Sequence, residues 1–310
     1  MRRSRLLTAV AATIATGLLL SACGGGEDPL AGGGSGGSDD QDTIVVGAAN
    51  FTESQILSSI FAQALEAKGV TVETRPPIGS REAYVPALKD GSIDLIPEYS
   101  GTLLQYLNPE ATDREPEQVY TALQQTLEAD DPTLTVLDRA EAENKDAVVV
   151  TRETAQQFGL TSIADLAPRC GELTFGGPPE FQTRPDGIPG IERTYNCTFG
   201  EYRSLDAGGP LTVTALRNGD VQAADLFTTD AAIPENDFVV LEDPEQNFAA
   251  QNVLPLINKA KVTPEVTEAL NAVTAKLTTQ ELLGLNEAAA APDKPSVETV
   301  AKNWLDAQNL

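Results

Sequence analysis

The chain has 310 residues, with 46 acidic against 21 basic side chains, a formal charge of −25 and no histidine. That charge argues against a nucleic-acid partner, which needs a basic face. Without histidine, Ser-His-Asp and Cys-His catalysis and every His-ligated metal site are excluded, and nothing in the sequence asks for a cofactor.

The N-terminus sets the compartment. Arg2, Arg3 and Arg5 precede an apolar run from Leu6 to Leu20. The run is too short to span a bilayer and reads as a signal peptide over residues 1–22. It ends in Leu20-Ser21-Ala22-Cys23, which matches the lipobox of bacterial lipoproteins. Cys23 is therefore expected to become an acylated first residue on the extracytoplasmic face of the cell membrane. Loss of the three arginines takes the formal charge from −25 to −28. Residues 23–42, rich in Gly, Ser and Asp, read as a flexible tether with a reach of roughly 25 Å. In an oxidising compartment Cys170 and Cys197 read as one disulfide.

The folded part opens with a β-branched run, Thr43 to Gly47. Ile56, Ile60 and Ala64 follow at helical spacing, with a capping-box pattern at Thr52 and Gln55 and a stop at Gly69. Val70 to Thr74 reads as a strand, Ser80 to Lys89 as a helix disturbed by Pro86, and Ile93 to Ile96 as a strand. This alternation predicts a mainly parallel α/β sheet. Val119, Leu123 and Leu127 mark a further helix. A second α/β segment follows: it opens on a strand at Ala147–Thr151 and contains Leu173–Phe175, a helical stretch at Leu211–Arg217 and a strand-like run at Val221–Phe227, with an exit at Val239–Leu241. The C-terminal part turns helical. Thr263 caps a helix before Pro264, Thr278 and Glu281 suggest a capping box, and Val297 to Leu305 forms an amphipathic face on which Trp304 reads as core.

Four segments in order carry a resemblance. They are Gly47-Ala48-Ala49-Asn50-Phe51-Thr52-Glu53, the run from Ala87 to Thr102 with its Pro97-Glu98-Tyr99-Ser100-Gly101-Thr102 signature, Phe181-Gln182-Thr183-Arg184-Pro185-Asp186-Gly187, and Thr228-Thr229-Asp230. Leu285-Asn286 and a helical end at Val300–Leu305 extend it, so that it runs from about residue 43 to 308. Together they resemble the osmoprotectant-binding subunits of ABC importers, the glycine betaine/choline/carnitine class. The resemblance implies a two-lobed periplasmic-binding-protein-like α/β fold (type II), with two crossover strands and a central ligand cleft. One lobe is then expected from 43–146 plus 250–310 and the other from 147–249. It also implies membrane-embedded importer subunits as partners and a small polar or zwitterionic solute as ligand.

The family encloses a quaternary ammonium in a cage of aromatic rings, held by cation–π attraction. By motif, the cage positions fall on Tyr99, Phe227, Asp146 and Gln251, so two of the four are polar here. Asp146 and Gln251 favour a ligand with N–H or O–H groups. Arg184 takes the position that holds a ligand carboxylate, Thr102 offers a hydroxyl, and Ala49 replaces an early Lys or Gln. Glu53 is expected to support the start of the first helix. Two other classes stay open at this point. One is an anchored enzyme using Asp94 and Glu98 as an acid–base pair. The other is a surface recognition protein without a closable cleft.

Overall fold

The computed structural model describes residues 43–310. The signal peptide, Cys23 and the tether lie outside the described residues. Among the described residues, ten strands form two five-stranded sheets. They are β1 (Ile44–Val46), β2 (Val72–Thr74), β3 (Leu95–Tyr99), β4 (Leu134–Val136), β5 (Asp146–Thr151), β6 (Thr174–Gly177), β7 (Glu201–Ser204), β8 (Ala223–Phe227), β9 (Phe238–Val240) and β10 (Val253–Asn258). The first sheet has the order β2-β1-β3-β10-β4, and the second β7-β6-β8-β5-β9.

Both sheets are mixed, where the sequence suggested mainly parallel pairing. β1 runs parallel to β2 and β3, but β10 runs antiparallel to both β3 and β4. In the second sheet β6 is parallel to β7 and β8, while β5 opposes both β8 and β9. The reason is topological: β5 and β10 each enter their sheet from the other lobe. We assign the lobes by this pairing. Asp146 pairs with Phe227 and so belongs to the second lobe, one residue earlier than the boundary read from sequence.

The two crossings lie side by side. Asn144 donates its N–H to the Gln251 carbonyl (3.1 Å), Val253 to that of Ala142 (3.0 Å) and Ala140 to that of Val253 (2.8 Å). A short antiparallel ladder thus joins the lobes and satisfies backbone groups that would otherwise be buried unpaired.

Each sheet is covered on both faces, which explains its near-continuous apolar strands. Along β3 and β10, Leu95, Tyr99, Val253 and Ile257 face one core, while Ile96, Leu254 and Leu256 face the other. The first core also takes Ile56, Ile60, Phe61 and Leu65 from helix Thr52–Ala67, together with Trp304. Phe61 is fully buried, so Phe61→Ala should cost about 3–5 kcal/mol. Trp304 packs there and donates its indole N–H to Glu281. Glu281 therefore does not close the capping box, although Thr278 accepts its backbone N–H at 3.2 Å.

The expected box at Thr52 and Gln55 also fails to form. Thr52 is already helical, Phe51 is the N-cap residue, and no side chain caps that end. Pro86 is carried inside helix Arg81–Lys89, which stops three residues later. Cys170 and Cys197 form a disulfide, with Cα atoms 5.4 Å apart.

Two motif glycines are places of close approach. A Cβ on Gly101 would stand 2.5 Å from the Ala250 carbonyl oxygen, and one on Gly187 would stand 2.0 Å from that of Phe181. Gly101 lets helix Ser100–Leu107 sit against the returning crossover, and Gly187 lets the Arg184 turn fold back on itself.

Candidate functional site

β3 points Glu98 and Tyr99 to opposite faces, as strand geometry requires. Glu98 is fully buried and accepts from Arg81 Nε (2.7 Å), Arg81 Nη2 (2.8 Å), the Tyr84 hydroxyl (2.6 Å) and the Tyr99 backbone N–H (2.6 Å). Burial disfavours the Arg81 charge, but the Glu98 carboxylate, with Tyr84 and Asp146 adding to it, raises the guanidinium pKa overall. The bidentate pair therefore fixes Arg81 and Tyr84 in place, and removing one partner should cost about 3–5 kcal/mol.

Tyr99 turns the other way, to a second buried carboxylate. Glu53 Oε1 accepts from the Tyr99 hydroxyl (2.7 Å) and Asn144 Nδ2 (2.8 Å). Its Oε2 accepts from Thr229 Oγ1 and Asn286 Nδ2, both at 2.6 Å. Glu53 thus gathers β3, the crossover, the second lobe and helix Thr279–Ala290 onto one side chain. It stands in the first turn of its helix, where the backbone dipole favours a negative charge.

Between the lobes lies a cavity of about 50 Å³, room for a few water-sized groups. The first lobe supplies Ala49, Phe51, Arg81, Tyr84, Tyr99 and Thr102; the second supplies Asp146, Glu180, Arg184 and Phe227. Three rings stand together: Phe51 is 6.0 Å from Tyr99 and 5.1 Å from Phe227, centroid to centroid. Phe51, Asn144 and Phe227 also edge a wider groove of about 600 Å³ that continues past Asp230 and Asn286.

The second lobe makes the wall acidic. Arg184 lies 3.9 Å from Glu180 on its own lobe and 3.9 Å from Glu82 on the other. Asp146, Asp186 and Asp225 are all nearly fully buried. Burial, with the nearby Asp186 carboxylate, pushes the Asp146 pKa up to about 6, against the pull of Arg184 and Arg81. Burial likewise raises Asp186, and it raises Asp225 well above the usual range with Asp146 adding to the effect. With Arg81 matched by Glu98, Arg184 remains to offset the carboxyl groups around it.

The substrate binding domain of ABC-type glycine betaine transport systems matches residues 42–307. The chain belongs to this family. A glycine-betaine-binding protein of Pseudomonas aeruginosa is 31% identical over 70% of this chain and 72% of its own length. The carnitine transport binding protein OpuCC of Listeria monocytogenes is 30% identical over 86% and 87%. A solved glycine betaine/carnitine/choline ABC transporter structure superposes with a TM-score of 0.68, at 26% identity, over 86% of this chain and 98% of that one.

As a member of the glycine betaine transport family, the chain is a solute-binding protein rather than an enzyme. The carboxylates considered as an acid–base pair are structurally engaged. Glu98 is saturated by its four donors, and Asp94 accepts the Val45 N–H at 2.9 Å and lies 3.7 Å from Lys261 Nζ.

The structure brings Tyr99, Thr102, Asp146, Arg184 and Phe227 to the cavity wall. It does not bring Gln251 there. That side chain is 1% exposed, and its amide is used within the protein: Oε1 accepts the Thr102 N–H at 3.0 Å and Nε2 donates to Thr102 Oγ1. Gln251 therefore fixes the start of helix Ser100–Leu107 from behind. Sequence reasoning missed Phe51, Arg81 and Tyr84 on the wall, and the depth of the Glu53 network. Phe51 stands inside the segment Gly47–Glu53, so an aromatic beside the first helix was a usable signal. Arg81 and Tyr84 carried none, because their partner Glu98 is brought near only by the sheet.

Proposed function

We propose that this chain captures a small ammonium-bearing solute of the glycine betaine, carnitine or choline type in the cleft and delivers it to the membrane subunits of an ABC importer. The observation that carries the reading is the juxtaposition of Phe51 and Tyr99 from one lobe with Phe227 and Arg184 from the other around a single small cavity. Rings facing a cation each contribute about 0.5–2 kcal/mol, more as water is excluded. A guanidinium from the opposite lobe suits an anionic end. Because both lobes contribute, a bound solute favours the closed arrangement, which is the signal an importer can read.

The reading includes a lipid anchor at Cys23, supported by the Leu20-Ser21-Ala22-Cys23 motif and the apolar run before it. No helix among the described residues is long and apolar enough to cross a membrane. Two acyl chains would give stable anchoring where one gives only weak binding.

A thermal-shift screen of the purified protein with betaines, choline, carnitine and ordinary amino acids tests the ligand class, since a ligand of the folded state raises its melting temperature. Stabilisation by amino acids alone would reject the ammonium reading. Mass spectrometry of the N-terminal peptide from whole cells tests the anchor. An unmodified N-terminus away from Cys23 would reject that part.

A further inference from the structure

Asp146 holds a buried carboxylate oxygen that the fold leaves without a donor. The residue is 7% exposed and lines the cavity, and among the described residues no group donates to its Oδ1. A desolvated carboxylate oxygen in that condition costs free energy until a donor reaches it.

The cations nearby do not supply one. Arg81 spends Nε and Nη2 on Glu98, and Arg184 is drawn toward Glu180 and Glu82. Two further neighbours, Asp186 and Asp225, are carboxyls with unpartnered oxygens of their own, and the Tyr202 hydroxyl donates to the Pro178 carbonyl.

The position of Asp146 gives this meaning. β5 and β8 are antiparallel, with Asp146 directly opposite Phe227. Opposed residues project from the same face of a sheet with their Cβ atoms about 5 Å apart. The Asp146 carboxylate therefore sits beside one of the rings against which an ammonium head would rest.

We infer that Asp146 makes this cleft selective for ammonium solutes carrying a hydrogen-bond donor, an O–H or N–H, close to the cationic centre. This rests on the ammonium reading above and narrows it. A fully methylated ammonium without a hydroxyl neutralises charge at Asp146 but leaves Oδ1 unbonded. A hydroxylated or incompletely methylated ammonium satisfies both needs at once. Specificity of this kind arises because a buried polar group rejects the analogue that lacks its partner.

The test compares near-isosteric solutes by calorimetric titration of the full-length protein in detergent. Glycine betaine has no donor, N,N-dimethylglycine replaces one methyl by N–H, and choline and carnitine add a hydroxyl. The expected result is tighter binding of dimethylglycine than of glycine betaine by about tenfold to a hundredfold, the range of a hydrogen bond to a charged group. Asp146→Leu should bring that ratio close to one, and Asp146→Asn, which keeps the shape and a neutral acceptor, should leave an intermediate ratio. Far-ultraviolet circular dichroism and a cooperative melt for each variant exclude misfolding as the cause. Equal affinities in the parent protein, or an unchanged ratio in both variants, would overturn the inference while leaving the ammonium site standing. If none of the four solutes bound, the ammonium reading would fall, and this inference with it.

Discussion

Thr229 of the second lobe donates its hydroxyl to Glu53 of the first at 2.6 Å. The same carboxylate binds Tyr99 of the aromatic wall, so ring position and lobe contact share one acceptor. Glu53→Ala should strip acceptors from Tyr99, Asn144, Thr229 and Asn286 together. Each buried donor left unsatisfied costs about 1–3 kcal/mol, so even partial rehydration should leave a loss of about 3 kcal/mol or more. Glu53→Gln retains one oxygen and should lose less. Urea denaturation of both variants measures this. Thr229→Val should lower solute affinity more than stability, because the contact it removes spans the lobes.

Solute affinity should divide by residue along the wall. Tyr99→Phe keeps the ring face and loses only the hydroxyl bond to Glu53, so its effect should be small. Phe51→Leu removes a ring that stands between Tyr99 and Phe227, and should cost about 1–2 kcal/mol of binding to any ammonium solute. Arg184→Ala should discriminate by ligand charge. It should weaken carnitine binding by about 2–5 kcal/mol if a buried carboxylate is left unpaired, and should affect choline far less. Calorimetric titration with both solutes gives the comparison, and equal losses for the two would remove Arg184 from the anionic end.

The disulfide in the second lobe closes a segment with a sequence separation of 27. Chain entropy places its contribution near 3–4 kcal/mol, less any native strain. Protein isolated without reductant should show no titratable thiol among Cys170 and Cys197. Reductant should lower the urea midpoint. A Cys170→Ala/Cys197→Ala variant should match the reduced parent, and a midpoint indifferent to reductant would show that the bond carries no stability.

How much of this was legible in the sequence depends on the range of each interaction. The strands and helices around Ile44, Ile56, Leu95, Val148 and Leu270 followed from local periodicity, and the two-lobed plan followed from motif order. The antiparallel entry of β5 and β10 did not, because strand direction is set by where the chain returns from. The site divides along the same line. Tyr99, Arg184 and Asp146 lay in or beside motifs, whereas Arg81 and Tyr84 become site residues only through Glu98, more than ten residues away in the chain. Gln251 shows the converse: its motif position pointed to the ligand, but its amide is consumed by Thr102. The cap expected at Thr52 did not form: Thr52 is already helical, Glu53 reaches Thr229 of the second lobe, and Ser54 accepts the Ala49 N–H of the preceding loop at 2.9 Å.

The buried carboxyls give the unliganded protein a defined response to pH. Asp146 titrates near 6 because burial and Asp186 favour its neutral form, and Asp230, at the edge of the wider groove, is also pushed up to about 6, chiefly by burial. Both values lie above those of the unfolded chain, near 4. Between those limits the folded state binds more protons than the unfolded one, so stability falls as pH rises from about 4 to about 6, and Asp225, raised well above the usual range by burial and Asp146, extends the fall to higher pH. Depressed carboxyls act in the opposite sense at lower pH. Asp131, lowered by Lys89 and Thr133 despite some burial, contributes stability that is lost as the pH falls through its folded value. The melting temperature should therefore pass through a maximum on acidification rather than decline steadily from neutrality. Asp146→Asn removes one of the raised groups, so it should stabilise the empty protein at pH 7 and flatten the slope between pH 4 and 6. Affinity for a cationic solute should move the other way in the parent, weakening as Asp146 is protonated below about pH 6, and that dependence should be smaller in Asp146→Asn. Melting curves and calorimetric titrations of both proteins from pH 4 to 8 measure the two effects, and a parent whose affinity for choline is constant across that interval would rule out an ionised Asp146 at the ligand.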